Sequence, residues 1–521
     1  MTRIDRSAAL VVAFSTILAL GVRLALVLTS GFPLNDGGLF YTFSLDLLRN
    51  GLVLPAYSSY NAADIPLAYP PLAFYLVAIF HIISRLPVLD IIQVVPAVLS
   101  AASVPAFYLL GAEMLPSRRQ AALATLLFAL IPRTSDWLIM GGGITRALGL
   151  LLALLAIRQA YLLFGKHSSA AVAPLAICSG LLLLSHPEAS VHVAVTAGLL
   201  LLWHDRSRAA LRRAAIVASV ALLISSPWWL SVVGRHGVDP FMAAAAAARA
   251  DSYGPLAGVV ALFRFEFTDE PFLTVVAVLG LIGMAVTLTR RAYFLPAWFA
   301  ILHTVEPRGG TLFMMIPLAL AASVCLDEVL LPALGVAASP PLDGSVVAWL
   351  PPLLRQPAAC TSLAFLVIYG ALGAYTVGER IKRDLTLQPS DEQALAWVRE
   401  NTASDAEFVV VTKGLPLRDS SSEWFPAITE RRSVATVYGL EWAQSGDFVQ
   451  GARRYQSLQN CASSDSSCLD YWTAENGVNP DYIYVRPPIL GETFPLQDSL
   501  AASAGYELAY TNSTVWIYRR R

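Results

Sequence analysis

Long uninterrupted stretches of apolar side chains, broken by short polar turns, fill the chain as far as residue 378; beyond it apolar and polar positions alternate on a much shorter scale. Eleven apolar runs stand out, at 8–29, 88–112, 119–133, 145–164, 169–185, 189–203, 213–233, 271–289, 292–305, 311–331 and 358–377. A helix rises 1.5 Å per residue, so about 20 residues cover a hydrocarbon layer of about 30 Å. The first run reads as an uncleaved span rather than a signal peptide, because it is too long for a signal core.

Basic residues fix an orientation for these spans. With eleven crossings, Arg3, Arg6, Arg118, Arg119, Lys166, the group Arg206, Arg208, Arg212 and Arg213, the pair Arg290 and Arg291, and Arg355 all fall on one side. Positive charge collects on the cytoplasmic side, which predicts a cytoplasmic N-terminus and an outward-facing tail. The run from Pro71 to Ser84 is apolar but only about 14 residues long, short of a full crossing. As a span it would invert every later loop, so it reads as a helix lying in the membrane surface. The outer face then receives a first loop at 30–87, Pro132 to Thr145, His186-Pro187-Glu188, a long loop at 234–270 bearing Arg249, Asp251, Tyr253, Arg264, Glu266 and Asp269, the Glu306-Pro307-Arg308 turn, and the tail.

The tail predicts a soluble α/β domain of roughly 140 residues, long enough for a core of its own. Pro389 and a Ser390 cap with Gln393 open a helix to Asn401, and short β-rich pieces follow at Phe408–Thr412, Ser433–Tyr438, Tyr482–Val485 and Val515–Tyr518. Cys461 and Cys468 lie close together in a Ser-rich stretch. They read either as a disulfide, which would put the tail in an oxidising compartment, or as two reduced thiols.

Composition agrees with a membrane chain. Of 521 residues, 56% are hydrophobic and 14% charged, against roughly 25% charged in soluble proteins. Thirty-six basic residues against 37 acidic ones leave a net charge of −1, which excludes a nucleic-acid partner held by a basic surface. The predicted fold is therefore a polytopic α-helical membrane protein of about eleven spans plus membrane-lying helices, with a C-terminal soluble α/β domain.

Acidic, histidine and aromatic residues gather in the outer loops, where ionisable groups near a membrane point to function. Asp36, in Asn35-Asp36-Gly37-Gly38, reads as a general base or as a helix N-cap. Asp64 reads as a second acid of the same loop or as a turn former, and Tyr69, before Pro70-Pro71, as a pocket wall or an interfacial aromatic. Asp136 precedes Gly141-Gly142-Gly143, after which Arg146 starts a span; a helix start with a guanidinium suits phosphate, and equally a flexible turn with a snorkelling Arg. His186 and Glu188 read as a bend or a donor contact. Arg308 stands beside Gly309-Gly310 as the preferred phosphate ligand, or as a partner for Glu306. No spacing suggests a metal site or a nucleotide loop.

Taken together, Asp36 after the first span, the Pro70-Pro71-Leu72 helix start, Arg118-Arg119-Gln120-Ala121-Ala122 leading to Ile131-Pro132, and Pro307-Arg308 before a late span resemble the GT-C superfamily of integral-membrane glycosyltransferases. Bacterial relatives of protein mannosyltransferases and aminoarabinose transferases are the nearest resemblance. Glu423-Trp424-Phe425-Pro426 and Gly439-Leu440-Glu441-Trp442 also look like their extracytoplasmic domains. The resemblance implies a GT-C-like catalytic domain at 1–378 and an extracytoplasmic domain at 379–521 in the plasma membrane. It further implies a polyprenyl-phosphate sugar donor, a lipid, glycan or protein acceptor, and transfer of a hexosyl or pentosyl group with inversion. Asp36 would be the base, Arg308 and Arg146 would hold the donor phosphate, and Asp136 matches an acidic position in some members. The adjacent Asp-Asp or Asp-Glu pair of many relatives is absent, so no metal or other cofactor is implied. The competing expectation is a non-enzymatic transporter or scaffold for lipid-linked glycans.

Overall fold

A computed structural model describes residues 5–250, 260, 263, 265–305, 310–337, 349–443, 447–487 and 494–521. Each of the eleven apolar runs is helical over most of its length. In chain order the helices are α1 (Arg6–Leu28), α2 (Gly38–Arg49), α3 (Leu72–Ser84), α4 (Val88–Met114), α5 (Arg118–Leu130), α6 (Gly143–Phe164), α7 (Val172–Leu183), α8 (Pro187–His204), α9 (Arg208–His236), α10 (Asp239–Ala250), α11 (Val275–Thr289), α12 (Phe294–Val305), α13 (Gly310–Cys325), α14 (Leu350–Arg355) and α15 (Pro357–Leu385). Among the described residues six stretches are long and apolar enough to cross a membrane: Arg6–Leu28, Val88–Met114, Gly143–Phe164, Arg208–His236, Thr311–Ala333 and Pro357–Asn401.

Side-chain caps explain several starts. Asp5 accepts a hydrogen bond from Ala8 N, Ser117 from Gln120 N and Ser207 from Ala210 N, each satisfying an amide that the helix itself cannot. Within the bundle α5 is buried from Arg119 to Leu130 and α13 from Phe313 to Cys325, and Phe107 of α4 stacks on Phe128 of α5 at 4.2 Å. The bundle has two distinct ends. At one, Arg119 pairs with Asp327 at 2.5 Å, Gln120 donates to Glu328 at 2.6 Å, Arg290 pairs with the same Glu328, and Trp349 donates to Asp5. At the other, Gln93 donates to Val27 O, Lys382 to Thr29 Oγ1, and the turn after α5 meets the start of α6.

The predicted 234–270 loop is only partly a loop. Its alanine-rich stretch forms α10, in keeping with the helix preference of alanine, and Asp251, Tyr253 and Arg264 lie outside the described residues. Helix α3 buries Ala73, Phe74, Val77 and Ala78 and leaves Leu76, Ile79, Phe80, Ile82 and Ile83 exposed, an apolar outward face.

Beyond α15 the tail adds α16 (Pro389–Asn401), α17 (Ser420–Thr429), α18 (Asp447–Asn460), α19 (Ser466–Glu475) and α20 (Pro495–Ala502) around one mixed sheet. Its strands are β1 (Glu407–Val411), β2 (Arg432–Ser433), β3 (Tyr482–Val485), β4 (Tyr506–Thr511) and β5 (Trp516–Arg520), in the order β2-β1-β3-β5-β4. Strand β1 pairs in parallel with β2 and β3, while β5 runs antiparallel to β3 and β4. Three expectations need correction here. Helix α16 is capped by Gln388 with Asp391, not by Ser390 with Gln393. The predicted strand at Ser433–Tyr438 ends at Ser433, because Thr436 and Tyr438 turn back to hydrogen-bond Ser422 and Asp419 on α17. Strand β4 escapes a hydrophobic pattern because it is largely exposed. Cys461 and Cys468 form a disulfide with a Cα separation of 5.6 Å.

The tail does not keep its core to itself. Phe32, Leu39, Phe43, Leu47, Tyr60, Ile65, Leu67 and Phe74 from the first loop share one apolar cluster with Phe408, Val410, Trp424, Phe425 and Ile483 of the tail. Trp424 stands edge-on to Phe32 with centroids 4.8 Å apart, and Asn61 exchanges hydrogen bonds with the backbone of Ser433. Loop and tail therefore pack as one layer over the end of the bundle where α6 begins.

Candidate active site

Two glycine-rich segments cross beneath that layer. The Leu34 carbonyl accepts from Gly141 N, and the Asn35-Asp36-Gly37-Gly38 loop lies against Gly141-Gly142-Gly143 at the start of α6. Gly37 has φ +128°, and a β-carbon there would sit 2.9 Å from the Gly141 backbone. One at Gly142 would sit 2.7 Å from the Asp36 carboxylate. The glycines are thus required for close approach as well as for backbone freedom.

The crossing delivers Asp36 to the N-terminus of α6. Its Oδ1 accepts from Gly142 N at 3.0 Å, and both oxygens accept from Arg146 Nη2, at 3.0 and 2.9 Å. Asp36 does not cap its own helix: the N-cap of α2 is Gly37, with no side-chain bond. A helix N-terminus and a guanidinium both suit a carboxylate, and together they fix this one in place. Arg146 is fixed in turn, since its Nε donates to Trp137 O and its guanidinium lies 5.8 Å from the Trp137 ring centre. Asp36 and Arg146 retain 19% and 22% side-chain exposure, so the pair is not sealed off.

A third charged group comes from the tail. Glu423, near the start of α17, accepts at Oε1 from Gly37 N at 3.0 Å and Leu39 N at 3.2 Å, the amides that follow Asp36. Tyr60 donates to the Glu423 carbonyl at 2.7 Å, and Trp424 donates to Asn35 O at 2.8 Å. Burial and then the nearby Asp36 charge push the Glu423 carboxyl up to about 8, so it carries a proton at neutral pH. In the sequence it stands only within a motif of the tail, with no part in the site. The contact joins positions 386 apart, and the only local signal is an acid set directly before an aromatic pair.

Tyr69 joins the cluster. Its hydroxyl meets Thr145 Oγ1 at 3.2 Å, and its ring packs on Phe40, Phe74 and Trp442. Burial raises it to about 12, keeping a neutral O–H beside Arg146. Glu188 lies close enough to act on Tyr69 electrostatically from the first turn of α8, and His186 caps that helix, its Nδ1 accepting from Ala189 N.

Other expected residues lie apart. Asp136 is buried with Asp269 and Arg133, Arg133 pairing with Asp269 at 2.6 Å, and Asp136 Oδ1 accepts from Trp137 N. Desolvation and the Asp269 charge raise the Asp136 carboxyl well above its ordinary range. Asp64 is exposed in a turn at φ +47°, outside this cluster. Arg308 lies outside the described residues. Among the described residues no group of three or more His, Cys, Asp or Glu side chains is placed to hold a metal ion.

No protein-family model matches the chain, and no curated protein matches it by sequence. Solved structures do match it in shape. The archaeal oligosaccharyltransferase AglB from Archaeoglobus fulgidus, in complex with an inhibitory peptide and a dolichol-phosphate, superposes with a TM-score of 0.63 at 13% identity, over 92% of this chain and 69% of that one. ArnT from Cupriavidus metallidurans bound to undecaprenyl phosphate gives 0.56 at 14% identity, over 96% of this chain and 97% of the other. The arabinofuranosyltransferase AftD from Mycobacteria gives 0.55 at 17% identity, over all of this chain and 40% of that one. All three are GT-C superfamily membrane glycosyltransferases, and the chain has their fold.

Proposed function

We propose that the protein is a glycosyltransferase that moves a sugar from a polyprenyl-phosphate donor to an acceptor at the outer face of the plasma membrane, with inversion. The observation that carries this reading is the Asp36–Arg146 ion pair, fixed by a glycine crossing at the point where first loop, α6 and tail meet. The matched structures hold dolichol-phosphate in one case and undecaprenyl phosphate in another, which supports the donor class.

In this reading eleven helices cross the membrane, the N-terminus is cytoplasmic, residues 1–378 form the catalytic domain and 379–521 an extracytoplasmic domain. The donor's isoprenoid lies along the exposed apolar face of α3, and its phosphate approaches Arg146, whose guanidinium has more N–H groups than Asp36 uses. Asp36 accepts the proton of the acceptor's nucleophile as that atom bonds to the anomeric carbon. The bond from anomeric carbon to phosphate oxygen breaks, its electrons stay on the phosphate, and polyprenyl phosphate leaves. Arg146 stabilises the growing charge in a partly dry site, where such contacts are strongest.

Transfer of labelled sugar from polyprenyl phosphate in proteoliposomes tests this. Asp36→Asn removes the proton acceptor and is expected to slow transfer by about 10²- to 10⁴-fold while the protein stays folded. A folded Asp36→Asn variant as fast as the parent refutes the assignment.

A further inference from the structure

Asp36 is held from two directions. Its carboxylate is gripped from the bundle by Gly142 N and Arg146, and the backbone just after it is gripped from the tail by Glu423. That second grip is tight: a β-carbon at Gly38 would sit 2.8 Å from the Glu423 carbonyl, and Tyr60 pins the same carbonyl from the loop side. Glu423 is 3% exposed, and its Oε2 is buried without a hydrogen-bond partner among the described residues. A buried ionised carboxylate with an unsatisfied oxygen is expensive, whereas a neutral acid can still accept both amides through Oε1.

The surrounding charges point the same way. The first loop contributes Asp36 and Tyr60, α6 contributes Arg146, the segment after β2 contributes Tyr438, the turn at Leu440–Trp442 contributes Glu441, and Asp419 caps α17 itself. Arg146 is the only cation in this set, and both oxygens of Asp36 already use it.

We propose that Glu423 is a positioning residue of the active site, a tail-borne carboxyl that holds the Gly37 and Leu39 amides, and through them Asp36, most firmly while it is protonated. The tail then helps to position the catalytic loop, and rising pH loosens that loop. The grip is complete below the ordinary carboxylate range and weakens from there up to about pH 8, because in that window the freed Glu423 carboxyl ionises and the gripped one does not. As pH rises through the Glu423 range, a second negative charge appears beside Asp36, and the loop segment loosens.

The consequence for activity rests on the proposed transferase reading; the consequence for the loop does not. Hydrogen exchange of the full chain in lipid nanodiscs, corrected for the intrinsic pH dependence of exchange, reads the Gly37 and Leu39 amides directly. The parent is expected to lose at least tenfold in protection between pH 5 and 9. Glu423→Gln, which accepts both amides without ionising, is expected to keep its protection across that range, and Glu423→Ala to lack it at every pH. In transfer assays the parent's decline with rising pH is expected to vanish in Glu423→Gln. Identical exchange profiles for the parent and Glu423→Gln, or full protection in Glu423→Ala, would overturn the proposal. If no donor is turned over, the exchange profiles still decide it, and if Glu423→Ala fails to fold, the comparison of the parent with Glu423→Gln does.

Discussion

Ion-pair clusters at the two ends of the bundle differ in how charge is shared. At the basic end Arg119 faces Asp327 in a pair 6% and 1% exposed, and Arg290 faces Glu328 in one 56% and 19% exposed. At the end covered by the tail, Asp36 and Glu423 share a single Arg146, and the Asp36 pair remains about one-fifth exposed. A sealed pair such as Arg119–Asp327 fastens helices, because either charge left alone in the bundle would be strongly unfavourable. An open cluster with a carboxyl in excess can exchange partners with an incoming anion or hydroxyl. Imbalance alone is not the mark of a site, since Asp136 and Asp269 also share Arg133. Only the Asp36 cluster adds a helix N-terminus, a glycine crossing and contacts from three distant segments.

Substitutions at each end sharpen the contrast. Arg119→Ala removes the guanidinium that meets the buried Asp327 and is expected to destabilise the protein by about 3–5 kcal/mol, read as a lowered Tm, with the transfer rate per folded molecule unchanged. A wild-type Tm, or a lost rate in folded protein, would erase the distinction. Gly142→Ala drives a methyl group against the Asp36 carboxylate, and a displacement of this kind is expected to lower transfer by about 10²-fold with little change in Tm. Gly198→Ala in α8 has open space around it and is the matching control. Its rate is expected to stay at the parent value, with a stability gain of no more than about 1 kcal/mol from reduced chain entropy.

Much of the architecture was legible in the sequence, because a membrane dictates the length and composition of anything that crosses it. The apolar runs are helical, six described stretches being long and apolar enough to cross, and β1, β3 and β5 show as short apolar strands because they are largely buried. β4 does not, because an exposed edge strand needs no apolar pattern. Within the site, Asp36, Tyr69 and Arg146 carried local signals: an acid beside glycines, a tyrosine before two prolines, an arginine after three glycines. The structure brings these three together. The glycines let two backbones touch, a contact between distant segments that no local pattern shows. Glu423 was invisible as a partner of Asp36, since nothing local in the tail shows which loop will lie beneath it.

The central claim is that the Asp36–Arg146 pair meets the donor phosphate. A cryo-EM structure of the full chain in nanodiscs with bound polyprenyl phosphate tests it most directly. The phosphate is expected within hydrogen-bond distance of Arg146, with the isoprenoid along α3 and Asp36 facing the open side of the cleft. A phosphate seated elsewhere, with the Asp36–Arg146 pair walled off from it by packed helices, would contradict the account.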